Sequence, residues 1–458
     1  MSANRFFLTL FVLSLFTYGC GKGIIDEILA GLSPNYDQDE KLSASDPQYG
    51  SSLGSSVALG VNYAVAGSYL RDGIPDAVIS ADNLGAAYVF RRTPAENSWD
   101  AGTELVAFDA APGDWFGKSV GLSGRNIIVG AMKADGVETD SGAAYIYHRT
   151  SKTSWDDVVK ISSQSAQLGG NFGSSVGISG DYAIVGASGE EGSAGTGTVM
   201  QLKDDADSDA DSSGNSGAVY VFRLTDTNSW GEGRKITAPD AQPEDYFGAS
   251  VGTSGEYSIV GAYGEDGGDD DPLPGAGAAY IFQRINSNQW GHVSKLTAPD
   301  AQKHDKFGYS VAVHGDYAVV GAPYENGSGG DSTKNSGAAY VFYRTDHNKW
   351  DSVRKLTASD PGEDDRFGTS VAINGDYIIV GAMNVDGRGE DPVMDVGAAY
   401  IFKRVTKNEW SQGKKILPKR KKTNALFGSA VGIYDERSIV GAPGMDEGNG
   451  AIFIFGRN

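Results

Sequence analysis

The sequence predicts an all-β protein, a seven-bladed β-propeller built from four-stranded antiparallel blades. Three observations lead there: a glycine-rich but aromatic-rich composition, seven copies of one repeat, and no helical periodicity in any copy. Of 458 residues, 64 are Gly, 22 Tyr, 18 Phe and 7 Trp, whereas only 15 are Pro. Many glycines beside aromatic and β-branched residues are typical of short strands joined by tight turns.

Four markers recur in the same order along the chain, which is the first sign of a repeat architecture. The first is an aromatic-Gly pair followed by Ser-Val. The second is Gly-Ala, the third is Gly-Ala-Ala-Tyr, and the fourth is a Trp before a Lys-Leu-Thr-Ala-like segment. The first marker starts at Leu53, Phe116, Phe172, Phe247, Phe307, Phe367 and Phe427, at intervals of 63, 56, 75, 60, 60 and 60 residues.

The fifth copy shows how one repeat divides into four strands. Short alternating segments predict strands over 310–313, 317–322, 338–344 and 350–357, separated by turns or polar loops. Four antiparallel strands repeated seven times indicate a propeller, because solenoid repeats are usually shorter and contain helices.

The two ends of the chain predict how the ring closes. The last copy stops at Phe455-Gly456 without a fourth strand, and residues 41–46 resemble a fourth strand without a blade. We therefore expect the strand at 41–46 to complete the last blade, which would remove an open sheet edge.

These motifs resemble the FG-GAP repeat, the blade of the integrin α-subunit propeller and of many bacterial surface proteins. The name-giving residues are Phe307-Gly308 with Gly321-Ala322-Pro323, and Phe427-Gly428 with Gly441-Ala442-Pro443. The resemblance covers residues 41–458 and implies extracellular binding or adhesion. It does not carry over the family's calcium hairpin between the first two strands, because tight turns stand there in this sequence.

The N-terminal segment predicts an export signal. An apolar run over residues 6–16 follows Arg5 and is too short to span a bilayer. The chain's single Cys, Cys20, follows four residues after the end of this run and resembles the lipid-attachment residue of bacterial lipoproteins. We expect a signal peptide over 1–19, a lipid-anchored tether over 20–40 and the propeller over 41–458. A plain secretory signal is the alternative.

Charge is unevenly distributed over the predicted propeller. The formal net charge is −21, which disfavours nucleic acid as a partner. The loops between strands 2 and 3 contain 26 acidic and five basic residues, and they share one face with the connections between blades. The sequence therefore predicts one acidic face and one mixed-to-basic face.

Two acidic loops are candidate Ca²⁺ sites, because carboxylate oxygens are the ligands that Ca²⁺ prefers. The alternative for both loops is a solvated insertion. The candidate ligands are Asp205, Asp207, Asp209 and Asp211 in one loop, and Asp266, Asp269 and Asp271 in the other. Asp135, Glu138, Asp140, Asp386, Glu390 and Asp391 form weaker groups.

Other recurring residues are interpreted as structural. An acid recurs before the aromatic-Gly pair and is expected to cap a turn: Asp114, Asp245, Asp305 and Asp365. Gly-x-Ser-x-Gly patterns, as at 117–121, lack the strand–turn–helix of a nucleophile elbow. The repeated Trp residues are expected to pack between blades, while Trp115 and Tyr246 are candidate rim aromatics. We predict no catalytic residues.

The sequence thus favours a surface-tethered binding or adhesion module whose acidic face meets a protein, glycan or cation. It is expected to be a monomer outside the cytoplasm, either an outer-membrane or cell-surface lipoprotein or a secreted protein. Its only membrane contact would be the lipid anchor. The alternative is a propeller enzyme, a metal-assisted hydrolase or lyase with acids at the channel mouth.

Overall fold

A computed structural model describes residues 36–73, 82–93, 98–136, 138–163, 165, 167–191, 214–266, 273–287, 289–327, 333–346, 348–387 and 393–457. These residues form seven antiparallel sheets and, within those ranges, no α-helix. The first strands of consecutive blades contact one another all the way round, including blade 7 against blade 1. The seven-bladed propeller predicted from the sequence is confirmed.

The blades have the same strand order, with strand 1 at the axis of the ring and strand 4 at its edge. In blades 1 and 3 the fourth strand is split into two short pieces. The strands in chain order are β1 (Tyr36–Leu42), β2 (Ser56–Leu59), β3 (Tyr63–Ser68), β4 (Ala86–Thr93), β5 (Ser98–Trp99), β6 (Thr103–Leu105), β7 (Phe116–Ser123), β8 (Asn126–Ala131), β9 (Ala143–His148), β10 (Asp157–Ile161), β11 (Phe172–Ser179), β12 (Tyr182–Ala187), β13 (Ala218–Asp226), β14 (Ser229–Trp230), β15 (Arg234–Ile236), β16 (Ser250–Ser254), β17 (Tyr257–Ala262), β18 (Ala278–Asn286), β19 (Gln289–Leu296), β20 (Ser310–His314), β21 (Tyr317–Ala322), β22 (Ala338–Tyr343), β23 (Ser352–Leu356), β24 (Phe367–Asn374), β25 (Tyr377–Ala382), β26 (Ala398–Lys403), β27 (Lys414–Ile416), β28 (Ala430–Tyr434), β29 (Arg437–Ala442) and β30 (Ala451–Arg457).

The ring closes as predicted, because β1 pairs antiparallel with β30 and supplies the fourth strand of blade 7. The predicted bounds of 41–46 are corrected to Tyr36–Leu42. The physical reason lies in the repeat itself: Leu296 is the last residue of β19, so the matching Leu42 ends its strand. Residues 43–46 are the loop that follows the strand.

Adjacent blades are joined by a repeated contact between their backbones. In blade 5, the Ser310 hydroxyl donates to the Gly368 carbonyl of the next blade at 2.8 Å. That carbonyl also faces Gly321, where a Cβ would lie only 2.0 Å from its oxygen. The markers Ser, Gly-Ala and aromatic-Gly therefore make one joint between blades. The equivalent donors in five other blades are Ser56, Ser119, Ser175, Ser250 and Ser370.

The hydrophobic core consists of seven clusters, each lying between two neighbouring sheets. In blade 5, the fully buried Phe307 packs against Tyr340 and Phe342 of strand 3, with ring centroids 5.5 and 6.0 Å apart. Trp350 packs edge-on against Tyr257 of the preceding blade at 5.5 Å. The prediction that the repeated Trp residues pack between blades is confirmed for this position, and the same pairing recurs at Trp155, Trp290 and Trp410.

Candidate functional site

One face of the ring carries the loops between strands 2 and 3 together with the connections between blades. We call it the loop face. The two kinds of segment touch directly: the His304 amide, in a connection, donates to the Pro274 carbonyl, in a 2–3 loop, at 2.9 Å. The assignment of loops to faces made from the sequence therefore holds here.

Beneath the loop face lies a repeated polar network that the sequence analysis missed. In blade 5, the Tyr340 hydroxyl donates to Asp300 at 2.7 Å, and Lys355 bridges Asp300 and Glu325 at 2.7 Å each. Blade 4 repeats the arrangement with Tyr280, Asp240, Lys295 and Glu265. The buried tyrosine hydroxyl and the buried glutamate of each network thus have partners, an aspartate and a partly buried lysine, as burial of polar groups requires.

Blades 4 and 5 have all four members of this network, and two of the blades that depart from it support its structural role. In blade 1 the signs are exchanged, because the buried Arg71 stands in the 2–3 loop and Glu104 in strand 4, 2.9 Å apart. In blade 7, Phe453 takes the place of the tyrosine and Arg420 the place of the aspartate. The ion pair is kept in blade 1, where both signs reverse, and in blade 7 the tyrosine and aspartate are lost together.

These pairs reduce the free charge of the acidic face. Glu190, Glu265 and Glu325 are buried and ion-paired with lysines, so they do not offer their charge to a ligand. Other carboxylates of the face are exposed, among them Glu138 and Glu191. The exposed carboxylates form the outer part of the face, while the buried ones hold its loops in place.

Of the Ca²⁺ ligands predicted in the two candidate loops, the structure describes only Asp266. Asp205, Asp207, Asp209, Asp211, Asp269 and Asp271 lie outside the described residues, as do Glu390 and Asp391. Asp266 is described, and its Oδ1 accepts the Gly275 amide at 2.7 Å, closing its loop. Within the described ranges, no group of three or more His, Cys, Asp or Glu side chains could hold a metal ion.

The same loop clamp recurs in other blades and accounts for several acids without a metal. Asp135 accepts the amide of Asp140 at 3.1 Å, and Asp386 accepts that of Asp395 at 3.0 Å. In blade 5 the clamp is Asn326, which accepts the Asn335 amide at 3.0 Å. Because an uncharged side chain serves equally well, the shared requirement is a hydrogen-bond acceptor.

The acids before the aromatic-Gly pair cap turns, as predicted. Asp305 accepts the Gln302 amide at 2.8 Å, and Asp245 accepts the Gln242 amide at 2.7 Å. Asp114 and Asp365 make the same bond to Ala111 and Gly362. Burial, with smaller contributions from nearby acids, raises the pKa of both Asp245 and Asp305 to about 7.

This raised pKa predicts that acidification stabilises the propeller. A carboxyl with a pKa near 3.8 when unfolded and about 7 when folded favours the folded state below pH 4, and that contribution is lost as pH rises through 7. We expect the melting temperature to fall between pH 5.5 and 8. Asp305→Asn, which keeps an acceptor for Gln302 and carries no charge, should weaken this dependence, while Asp245 still contributes to it.

Melting curves followed by circular dichroism at several pH values test this expectation. Asp181→Asn is the matched control, because Asp181 lies exposed in a turn on the opposite face. An unchanged pH dependence in Asp305→Asn would show that this carboxyl does not take up a proton on folding.

Near the axis of the ring, the loop face carries a group of aromatic and cationic side chains. We call it the axial cluster: Tyr246, Tyr263, Tyr309, Tyr324, Lys306 and Arg366. Tyr246 and Tyr263 are stacked at 5.0 Å, and Tyr309 lies 5.8 Å from Tyr263. The Lys306 ammonium lies over both Tyr263 and Tyr324, at 5.1 and 5.3 Å from their centroids.

Local backbone geometry brings these side chains to the axis. The residue before each aromatic-Gly pair has a left-handed conformation, with φ of 55° at Tyr246, 55° at Lys306 and 56° at Arg366. This turn precedes strand 1, the strand nearest the axis. The prediction that Tyr246 is a rim aromatic is consistent with this position. Trp115 is half-buried and packs edge-on against Tyr69 at 5.6 Å.

The comparisons with known proteins agree with this architecture. A family model described as the FG-GAP repeat matches residues 36–90, 99–147, 155–199, 230–282, 290–342, 350–402 and 410–455. The chain belongs to the FG-GAP repeat family. Six of the seven matched segments run from the fourth strand of one blade to the third strand of the next, and the first of them begins at Tyr36 with β1. The segment 155–199 ends before β13, the third strand of blade 3. No curated protein matches the chain.

The remaining predictions concern the membrane and the anchor. Among the described residues of this FG-GAP propeller, none forms a helix long and apolar enough to cross a bilayer. The predicted signal peptide at 1–19 and the lipid-attachment residue Cys20 lie outside the described residues.

Proposed function

We propose that this FG-GAP propeller is an extracytoplasmic binding or adhesion module, without catalytic activity, whose loop face docks a protein partner. FG-GAP propellers are often used for binding and their repeats are typically extracellular, which supports the proposal. The single observation that carries it is the composition of the loop face, which combines exposed carboxylates with a half-exposed group of four tyrosines, a lysine and an arginine.

A protein fits this face better than a glycan or a free cation. Tyrosine and arginine are enriched at the centres of protein interfaces, where their large rigid side chains give contact area at low entropic cost. Surrounding carboxylates would attract basic side chains of the partner and set its orientation. A cation alone would not use the tyrosine rings, and three described acids of this face, Asp266, Glu265 and Glu325, already bind an amide or a lysine.

The tether belongs to the same proposal. A lipid on Cys20 would hold the propeller at a membrane surface, and the described chain begins with β1 at the edge of blade 7. The strand at Tyr36 leaves at most residues 21–35 between that lipid and the propeller. The Ca²⁺ sites at residues 205–211 and 269–271 stay predictions.

An array experiment tests whether the loop face binds proteins. The chain is applied to folded extracellular proteins of differing charge and to neutral and acidic glycans. A variant with Glu138→Gln, Asp140→Asn and Glu191→Gln removes three exposed carboxylates of the loop face. We expect binding to basic proteins, weakened at least about threefold in this variant and by added salt.

The matched control removes three exposed carboxylates from the opposite face, with Asp181→Asn, Asp226→Asn and Glu256→Gln. It should bind like the unmodified chain. Binding that is lost only in the control variant, or that occurs only on glycans, would contradict the proposal.

A further inference from the structure

The two cations of the axial cluster differ from the lysines of the polar network beneath the loop face. Lys295, Lys355 and Lys415 each bind a carboxylate at 2.8 Å or less. Lys306 and Arg366 have no carboxylate partner among the described residues and lie against tyrosine rings instead. The Nε of Arg366 is shielded from solvent and has no hydrogen-bond partner within the same ranges. The axial cluster thus holds two cations whose charge is not neutralised by those residues, and Lys118, over the Tyr69 ring at 4.5 Å, is a further cation that lies against a tyrosine.

The tyrosines of the cluster differ in the same way from those of the core. The hydroxyls of Tyr280, Tyr340 and Tyr400 each donate to an aspartate. The four tyrosines of the axial cluster make ring contacts, and their hydroxyls have no partner among the described residues. Tyr309 is 36% exposed. Free hydroxyl donors and free cations at one place are complementary to an anionic acceptor.

The surrounding charge limits what that anion can be. A polyanion would have to cross the exposed carboxylates of the outer loops, and like charges facing each other are unfavourable. A folded protein avoids this conflict, because one of its carboxylates can stand among lysines and arginines. Its carboxylate would meet Lys306 and Arg366 while its basic residues meet the outer loops.

We propose that the axial cluster binds a carboxylate side chain of the partner protein, one that stands at the centre of a basic surface. Arg366 and Lys306 donate to the carboxylate, and the tyrosine rings pack around its stem. The inference rests on the proposed function and adds to it the chemistry of the contact at the centre of the interface.

Two synthetic peptides of about twelve residues test this chemistry. Both contain lysines on either side of one central residue, which is Glu in the first peptide and Gln in the second, and both have blocked ends. Their dissociation constants for the full chain are measured by calorimetry at low salt. We expect the Glu peptide to bind at least about fivefold more tightly than the Gln peptide.

The variant Lys306→Gln/Arg366→Gln should remove this preference. It should also bind the Gln peptide more tightly than the unmodified chain does, because two positive charges have left an acidic face. Lys421→Gln/Lys422→Gln, which removes two exposed cations from the connection between blades 6 and 7, should keep the preference for Glu. Melting temperatures confirm that each variant is folded.

The outcomes separate the two proposals. If both peptides bind the unmodified chain equally, the carboxylate contact is wrong while binding by the acidic face stands. If neither peptide binds, the proposed function of the face itself is contradicted. A preference for Glu that survives in Lys306→Gln/Arg366→Gln would also overturn the inference, because the cluster would not be its source.

Discussion

Gly321→Ala is expected to lower the free energy of unfolding by about 3 kcal/mol or more, or to prevent folding. The new methyl group would lie 2.0 Å from the Gly368 carbonyl oxygen and 2.4 Å from the Ser310 hydroxyl. The carbonyl belongs to the backbone of the next blade, so it cannot turn aside as a flexible side chain can. The steric clash can be relieved only if the two blades move apart, and that movement would weaken the packing along the whole contact between them.

Denaturant unfolding measures the effect, with Gly231→Ala as the control. A methyl group on Gly231 would meet its nearest neighbour, the Arg223 carbonyl oxygen, at 3.6 Å, an ordinary contact. We expect that variant to stay within about 0.5 kcal/mol of the unmodified chain. Equal stability of the two variants would show that the blades are not in the close contact described.

Removal of the first strand is expected to have the second large effect. A chain beginning at Ser43 lacks β1, which pairs with β30 from Tyr36 to Leu42. It also loses the buried Leu42, which packs with Ile452 and Tyr88 at the joint between blades 7 and 1. The exposed edge of β30 should favour aggregation or pairing between chains, and the melting temperature should fall by about 10 °C or more.

A chain beginning at Tyr36 is the control and should melt like the full-length chain. A synthetic peptide of residues 36–46, added to the chain that begins at Ser43, should restore part of the lost stability. If the chains beginning at Tyr36 and Ser43 melt together, the ring does not depend on this strand.

The fold could be predicted because the repeat gives the same information many times. Each marker has the same structural role in every blade where it occurs. In blade 5 the Phe307 ring fills the core, and Gly321 allows the backbone of the next blade to approach closely. The predicted strands of the fifth copy agree with the structure to within two residues. The predicted bounds of the closing strand, 41–46, were wrong because the repeat motif that they match begins at the end of a fourth strand and continues into the loop after it.

The polar network and the axial cluster could not be predicted in the same way. Lys355 meets Asp300 and Glu325 across 55 and 30 residues, and the rotation of one blade against the next decides which partners meet. A signal was present, because an aspartate follows the Lys-Leu-Thr-Ala segment in several copies. Tyr246, Tyr263 and Tyr309 come together because neighbouring blades converge at the axis of the ring. The sequence does not directly specify the angle between blades, so these contacts could not be predicted from it.

The pairing of β1 with β30 has a consequence for biosynthesis. The strand that completes blade 7 is synthesised before every other described strand, and its partner at residues 451–457 is synthesised after all of them. Until residues 451–457 are synthesised, the nascent polypeptide carries β1 without its partner strand and a partial ring behind it. Two such chains that are synthesised close together can exchange β1, so that each completes blade 7 of the other in a domain-swapped dimer. Refolding at low protein concentration should therefore give fewer domain-swapped dimers than refolding at high concentration.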